Sequence, residues 1–323
     1  MTKIDVYSGF LGAGKTTLIK KMIKEAYAGQ KLVLIENEFG EIGIDGGFLQ
    51  EAGIEITEMN SGCICCSLVG DFGKALEKVI AEYAPDRILI EPSGVGKLSD
   101  VVAAVEKVVS DDVQLGNTVT VADAGKCKMY MKNFGEFYNN QVETAGTVIL
   151  SRTDSISEEK LHTAVELIKG KNPNAVVVTT PWDQLTGLQI LEAMEQGNTM
   201  LKELEHEHHH HHEHDEHCDC GCHDHEHHHH HHADEVFTSW GVETPKKFSE
   251  EEIHAILAAF DNGEYGMVLR AKGIVAAKEG QWIHFDYVPE EHDIRRGAAG
   301  VTGRLCVIGS KICEQKLAEL FGV

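Results

Sequence analysis

The segment from Gly9 to Thr16, GFLGAGKT, has the spacing G-x-x-x-x-G-K-[ST] and lies between an apolar strand-like run and an amphipathic run carrying Leu18, Ile19, Met22 and Ile23. In that context the backbone N–H groups of Gly9, Gly12, Ala13, Gly14 and Thr17 are candidates to cradle nucleotide phosphates. Lys15 neutralises β/γ charge, and the Thr16 hydroxyl can ligate Mg²⁺. A glycine turn of purely structural use is the competing reading, and the strand–loop–helix context argues against it. A second acidic element, ILIEPSG, puts the Glu91 carboxylate at the end of an apolar run. Open α/β sheets bind their ligands at such strand ends, so Glu91 is a candidate for the Mg²⁺ shell rather than an acid that merely starts a loop. The stretch SRTD at 151–154 stands where guanine-binding chains usually carry N-K-x-D. Asp154 keeps the carboxylate that accepts two hydrogen bonds from guanine. Ser151 and Arg152 depart from that pattern, and the Arg152 stem is expected to lie against the base. GTP is therefore expected over ATP.

Metal chemistry is the second theme. Cys63, Cys65 and Cys66 fall within NSGCICCSL, directly ahead of a helical pattern over 68–80. A helix N-terminus favours the thiolate, which is the competent ligand for a soft or borderline cation. Three cysteines so close cannot easily take three tetrahedral vertices while the chain stays regular. One or two of them are therefore expected to bind with outside carboxylates, for which Glu36, Glu38 and Glu41 are the candidates. Those glutamates lie after the second strand, where a loop can respond to a γ-phosphate. Small cysteines packed on a sheet are the alternative.

A further tract, 206–232, holds 16 of the chain's 20 histidines around Cys218, Cys220 and Cys222, flanked by His217 and His223. Imidazole and thiolate on one strand suit Zn²⁺, Co²⁺ or Ni²⁺. A solvated acidic spacer is the competing reading. The remaining histidines are expected to be structural or surface residues, and Cys306 and Cys313 are expected in cores.

The positioning elements follow from periodicity. Strands are expected at 3–7, 31–35, 87–90, 117–121, 147–150 and 175–179, alternating with helices, which is the pattern of an α/β domain with a mostly parallel, doubly wound sheet. Periodicity vanishes over 201–235, which predicts a segment without a core. Beyond it, Ser249 and Glu252 form a capping box ahead of Ile253, Ile256, Leu257 and Phe260. Strands at 267–270, 281–287 and 304–308 and a helix at 313–321 complete a small α+β domain. The division expected is 1–200, 201–245 and 246–323.

The 323 residues exceed a usual single core, and the net charge of −23 argues against a nucleic-acid partner. Residues 203–235 hold 11 acids and no Lys or Arg. No signal-peptide pattern and no long apolar run predict a cytoplasmic protein away from membranes. In a reducing compartment the nine cysteines are better read as ligands or core residues than as disulfides.

With ENEFGEIGID at 36–45, GCICC at 62–66, EPSG at 91–94, RAKGIV at 270–275 and GRLCVIG at 303–309, the chain closely resembles the CobW family of P-loop GTPases and metallochaperones. The resemblance covers nearly all of it. It implies a GTPase domain carrying the G-C-x-C-C signature, a smaller C-terminal domain, and delivery of a metal such as zinc, cobalt or iron to a client protein or cofactor pathway with GTP hydrolysis. A metal buffer acting through the histidine-rich tract is the alternative. The client is not legible in the sequence, and self-association into a homo-oligomer stays open.

Overall fold

A computed structural model of the chain describes residues 1–36, 55–58, 69–209, 236–300 and 302–323, the side chains of 55–58, 69–71 and 199–209 excepted. The first unit is built on seven strands: β1 (Thr2–Gly9), β2 (Leu32–Glu36), β3 (Glu55–Glu58), β4 (Arg87–Glu91), β5 (Val113–Asp123), β6 (Thr147–Ser151) and β7 (Val176–Val178). They pair in the order β3-β2-β4-β1-β5-β6-β7, and every pairing is parallel. A parallel sheet is covered on both faces, so its central strands must be apolar on both sides. LVLI of β2 and RILI of β4 meet that demand without alternation.

The covering helices are α1 (Lys15–Glu25), α2 (Val69–Tyr83), α3 (Leu98–Glu106), α4 (Cys127–Asn133), α5 (Gly135–Thr144), α6 (Glu158–Lys171) and α7 (Gly187–His209). One core layer joins Ile4 and Val6 of β1 to Leu76, Val101, Val142 and Ile168. The other joins Tyr7 to Leu18, Met22, Ile190 and Met194 on α1 and α7.

The second unit contains β8 (Thr238–Thr244), β9 (Lys247–Phe248), α8 (Glu250–Ala259), β10 (Met267–Ala277), β11 (Trp282–Val288), β12 (Glu291–Gly297), β13 (Gly303–Ser310) and α9 (Glu314–Phe321). Its strands run β12-β11-β10-β13-β8, antiparallel throughout, and β9 adds to β10. Alternation, interrupted by a register shift between Val268 and Arg270 on β10, divides this sheet. Ala271, Val275, Ile283, Phe285, Tyr287, Leu305 and Val307 bury against α8 and α9. Leu269, Cys306 and Ile308 instead join the core of the first unit with Phe237, whose ring meets Phe10, Phe134 and Phe137. The two units therefore share apolar contact across one sheet face. The expected capping box is present: the Glu252 N–H donates to Ser249 Oγ at 3.2 Å, and the Ser249 N–H donates to Glu252 Oε2 at 2.7 Å.

Several expectations differ from the structure. The helix α7 runs to His209, past the expected onset of aperiodic chain at 201. The strand β8 lies ahead of residue 246 yet pairs with β13. The strands β3 and β12 have no counterpart in the sequence pattern, EHDIRRG of β12 being polar at nearly every position. Cys306 is buried as expected, but Cys313 is exposed because it stands ahead of α9 and not within a packed face. Glu38, Glu41, Cys63, Cys65, Cys66, His217, Cys218, Cys220, Cys222 and His223 lie outside the described residues.

Beneath the strand that leads to the glycine loop lies a buried polar network. Asp5, fully buried, accepts from Arg87, from the Tyr27 hydroxyl at 3.0 Å and from the Asn117 N–H at 2.7 Å. Tyr27 also meets Tyr7 hydroxyl to hydroxyl at 2.7 Å. Burial pushes both phenols upward in pKa, so they stay neutral donors. This cluster ties β1, β4, β5 and the end of α1 to one carboxylate. Asp5→Ala leaves the Arg87 guanidinium buried without its counter-charge and is expected to cost about 3–5 kcal/mol in denaturant unfolding. A loss below about 1 kcal/mol would show that the network does not hold these elements.

Candidate functional site

Parallel pairing puts the C-terminal strand ends on one edge, and the chemistry gathers there. Glu36 is paired in register with Glu91 on one side and Glu58 on the other. Asp123 is paired with Ser151. The strand β1 lies between β4 and β5, so the glycine loop emerges between Glu91 and Asp123.

Two glycines of that loop are required by conformation and space. Gly14, the residue that starts α1, has φ +103°, and a Cβ there would meet the Trp182 ring at 3.2 Å. Gly12 has φ +69°, and its Cβ would lie 2.1 Å from Val288 Cγ1. The Lys15 ammonium, buried, donates to the Gly9 carbonyl at 3.0 Å. The Thr16 hydroxyl donates to the Glu91 carboxylate, 3.0 Å from Oε1 and 3.2 Å from Oε2. A hydroxyl and a carboxylate converging at the start of α1 form an oxygen donor set that suits a hard divalent cation such as Mg²⁺.

Two cavities share this loop. One, of about 340 Å³, is lined by Gly12, Lys15, Thr16 and Glu91 on one wall and by Arg270, Asp286, Val288 and Arg295 of the second unit on the other. The second, of about 850 Å³, is lined by Gly14, Thr17, Ser151, Asp154, Lys160 and Trp182. Gly14, Thr17, Arg152 and Glu291 border both. The first carries the glycine-loop groups with Glu91, and the second carries Ser151, Asp154 and Trp182.

Asp154 is exposed on the short 3₁₀ turn Thr153–Ser155, next to Arg152, whose φ of +54° lies in the left-handed region. The Ser151 hydroxyl is buried without a hydrogen-bond partner and lines the same cavity. It is a donor that an incoming base could satisfy.

Arg152, whose stem the sequence suggests for the base, lines both cavities. Its guanidinium donates to the Gly12 carbonyl at 3.1 Å and to Asp123 Oδ2 at 2.8 Å, and its Nε pairs with Glu291 at 3.0 Å. Asp123, which sequence reasoning missed, also accepts from the Gly125 N–H at 2.9 Å. It stands buried at the C-terminal end of β5, a strand-end position shared with Glu91 that could have signalled it. Lys126 donates to the Pro289 carbonyl at 2.7 Å, and burial pushes its ammonium downward in pKa against the partial opposition of Asp123 at 4.0 Å. The turn between β11 and β12 thus seats on the first unit through Val288, Pro289 and Glu291.

Of the candidate metal ligands, only Glu36 is described, buried at the end of β2. Among the described residues no group of three or more His, Cys, Asp or Glu is arranged to hold a metal ion. Burial pushes the Cys127 thiol up to about 11, opposed by a hydrogen bond from Tyr138, so it is a poor thiolate donor. Among the described residues no helix is long and apolar enough to cross a membrane.

Trp182, also missed in the sequence, donates from its indole N–H to the Leu150 carbonyl at 2.9 Å and borders the 850 Å³ cavity beside Asp154. Nucleotide binding is expected to change the protein's tryptophan emission, and Trp182→Phe is expected to remove that change while leaving Trp240 and Trp282 in place. A response of equal size in Trp182→Phe would show that the base does not enter this cavity.

The model of the CobW/HypB/UreG nucleotide-binding domain matches residues 3–179, and that of the cobalamin synthesis protein cobW C-terminal domain matches residues 237–322. Among curated proteins the chain is similar to the zinc chaperone CobW of Sinorhizobium sp, 31% identical over 185 residues, covering 48% of this chain and 52% of that protein. It is 30% identical over 178 residues to the zinc chaperone YjiA of Escherichia coli, covering 53% and 55%. It is 28% identical over 212 residues to the zinc-regulated GTPase metalloprotein activator 1 of Schizosaccharomyces pombe, covering 62% and 51%. The chain thus spans about half the length of the curated relatives it matches. The Zn(II)-bound YjiA GTPase crystal structure from E. coli aligns over 99% of this chain and 98% of its own, with 21% identity and a TM-score of 0.44. Matched over more than half its length by the first of these models and through nearly all of its second unit by the other, the chain belongs to the CobW/HypB/UreG family of nucleotide-binding proteins and carries a CobW-type C-terminal domain.

Proposed function

We propose that the protein binds GTP with Mg²⁺, hydrolyses it slowly to GDP and phosphate, and uses nucleotide state to govern a transition metal that it hands to a client metalloprotein. Zinc is the metal favoured, with cobalt and nickel as further candidates. The printed names of the similar proteins, zinc chaperones and a zinc-regulated GTPase metalloprotein activator, support this reading. The observation that carries it is the 3.0 Å contact from Thr16 to Glu91, made at a strand end in register with Glu36. In the sequence Glu36, at the end of β2, is followed by Glu38 and Glu41 and, after β3, by the cysteine triplet. A nucleotide group and a metal-ligand candidate therefore start from neighbouring strands.

In this mechanism the loop N–H groups hold the phosphates, Lys15 sets a fixed positive charge against the β/γ oxygens, and Thr16 with Glu91 holds Mg²⁺. When bound, that ion supplies charge neutralisation across the β- and γ-phosphate oxygens. Asp154 accepts from the guanine edge, and the Ser151 hydroxyl adds a donor within the same cavity. Cys63, Cys65 and Cys66, with a carboxylate from Glu36, Glu38 or Glu41, hold the metal cargo. The tract with His217, Cys218, Cys220, Cys222 and His223 gathers metal for it. The setting proposed is the cytoplasm, with no nucleic-acid or membrane partner.

The test is steady-state hydrolysis with GTP and with ATP. Lys15→Ala is expected to lower kcat by roughly 10²-fold or more, because the developing phosphate charge loses its counter-charge. Asp154→Asn is expected to bring the two nucleotides to within about tenfold of each other. Undiminished turnover in Lys15→Ala would overturn the site, and equal use of ATP and GTP by the wild type would overturn the base assignment.

A further inference from the structure

We infer that Arg270, on the C-terminal sheet, is a catalytic residue of the phosphate site, supplied to the glycine loop within one chain. The inference rests on the proposed GTP hydrolysis and is independent of which metal is carried.

The pleat explains why Arg270 stands where it does. On β10, Ala271 and Val275 turn into the core under α8 and α9. Arg270, next to Ala271 and paired with Ile308, is therefore on the opposite face. On β11, Ile283, Phe285 and Tyr287 turn into that same core, which leaves Asp286 and Val288 facing the other way. That second face is the one laid over the glycine loop, since Val288 Cγ1 occupies the space beside Gly12. Arg270 and Asp286 accordingly form a wall of the 340 Å³ cavity that Lys15, Thr16 and Glu91 line from the other side.

The polar contacts separate Arg270 from its neighbours. Arg295 is neutralised by Asp293 at 2.7 Å and Asp286 at 3.1 Å. Arg152 is committed to the Gly12 carbonyl, Asp123 and Glu291. Arg270 meets Asp286 only at 3.7 Å, an acid already held closer by Arg295. Its side chain is 25% exposed, so the desolvation cost of moving it onto a phosphate is small. A guanidinium so placed offers two parallel N–H donors to the oxygens of a transferring phosphoryl group.

The chemistry balances without another reagent. A water oxygen bonds to the γ-phosphorus, the bond from that phosphorus to the β–γ bridging oxygen breaks, and its electron pair stays on the β-phosphate of GDP. The water proton leaves with inorganic phosphate or to solvent. Arg270 opposes the negative charge that grows on the γ and bridging oxygens. Lys15 meets the same cavity from the loop side, where its ammonium donates to the Gly9 carbonyl.

The test uses the full chain with GTP and Mg²⁺. Arg270→Ala is expected to lower kcat by roughly 10²–10³-fold with KM changed less than about threefold, the pattern of a donor that acts in the transition state. Arg270→Lys is expected to restore little, because a point charge lacks the planar fork. Binding of GDP with aluminium fluoride, but not of GDP alone, is expected to weaken in both variants. Arg304→Ala, which removes a cation paired with Glu243 and not among the residues lining the cavity, is expected to keep wild-type kcat. Unchanged kcat in Arg270→Ala, or an effect confined to KM and GDP affinity, overturns the assignment. Absence of turnover in the wild type overturns both this assignment and the hydrolysis reading beneath it.

Discussion

The parallel register between β1, β4 and β2 is the constraint on which the rest depends. Parallel pairing places every C-terminal strand end on one edge, so Glu36, Glu91 and the glycine loop are neighbours in space although 27 to 82 positions separate them in the chain. Register is strongly fixed here because both sheet faces are buried, and a slip of one residue would exchange Ile4 and Val6 with Asp5 and Tyr7 between core layers. Asp5 adds a polar lock, since only one register lets its carboxylate meet Arg87, Tyr27 and the Asn117 N–H together.

A second consequence lies in how the two units meet. Apolar contact through Phe237, Leu269 and Ile308 supplies non-directional adhesion, whereas Arg152, Lys126 and Glu291 fix where the β11–β12 turn sits. Arg152 is central because it touches the Gly12 carbonyl and the second unit at once. Arg152 also lines both cavities, at their junction. One guanidinium thus links the glycine loop to the turn between β11 and β12.

Much of the fold was legible in the sequence, for physical reasons. The doubly covered sheet announces itself because the runs Leu32–Ile35 and Ile88–Ile90 are apolar at successive positions, and the Ser249–Glu252 cap because a helix start has few ways to satisfy its first N–H groups. The glycine loop was legible because its chemistry needs fixed spacing. Less visible was anything created by juxtaposition. The strand β12 is polar at nearly every position, since one face lies over charged residues rather than a core. The helices α3, α4 and α5 were not anticipated as separate elements. The roles of Asp123, Trp182 and Arg270 emerge only when strand ends and a second sheet come together. Arg152 was legible as a site residue but not by its partners, because Asp123 and Glu291 lie 29 and 139 positions away. The expected metal ligands other than Glu36 lie outside the described residues.

The central claim is that nucleotide state and metal affinity are one linked equilibrium, joined where β2 and β4 end in Glu36 and Glu91. Its most direct test is competition for Zn²⁺ with a chromogenic chelator, using protein that lacks 206–232 and is held with either GDP or a non-hydrolysable GTP analogue. The account predicts dissociation constants that differ between the two states by about 5–150-fold, the range of a coupling of about 1–3 kcal/mol, and the reciprocal change in nucleotide affinity when Zn²⁺ is bound. Equal Zn²⁺ affinities in the two nucleotide states would contradict it.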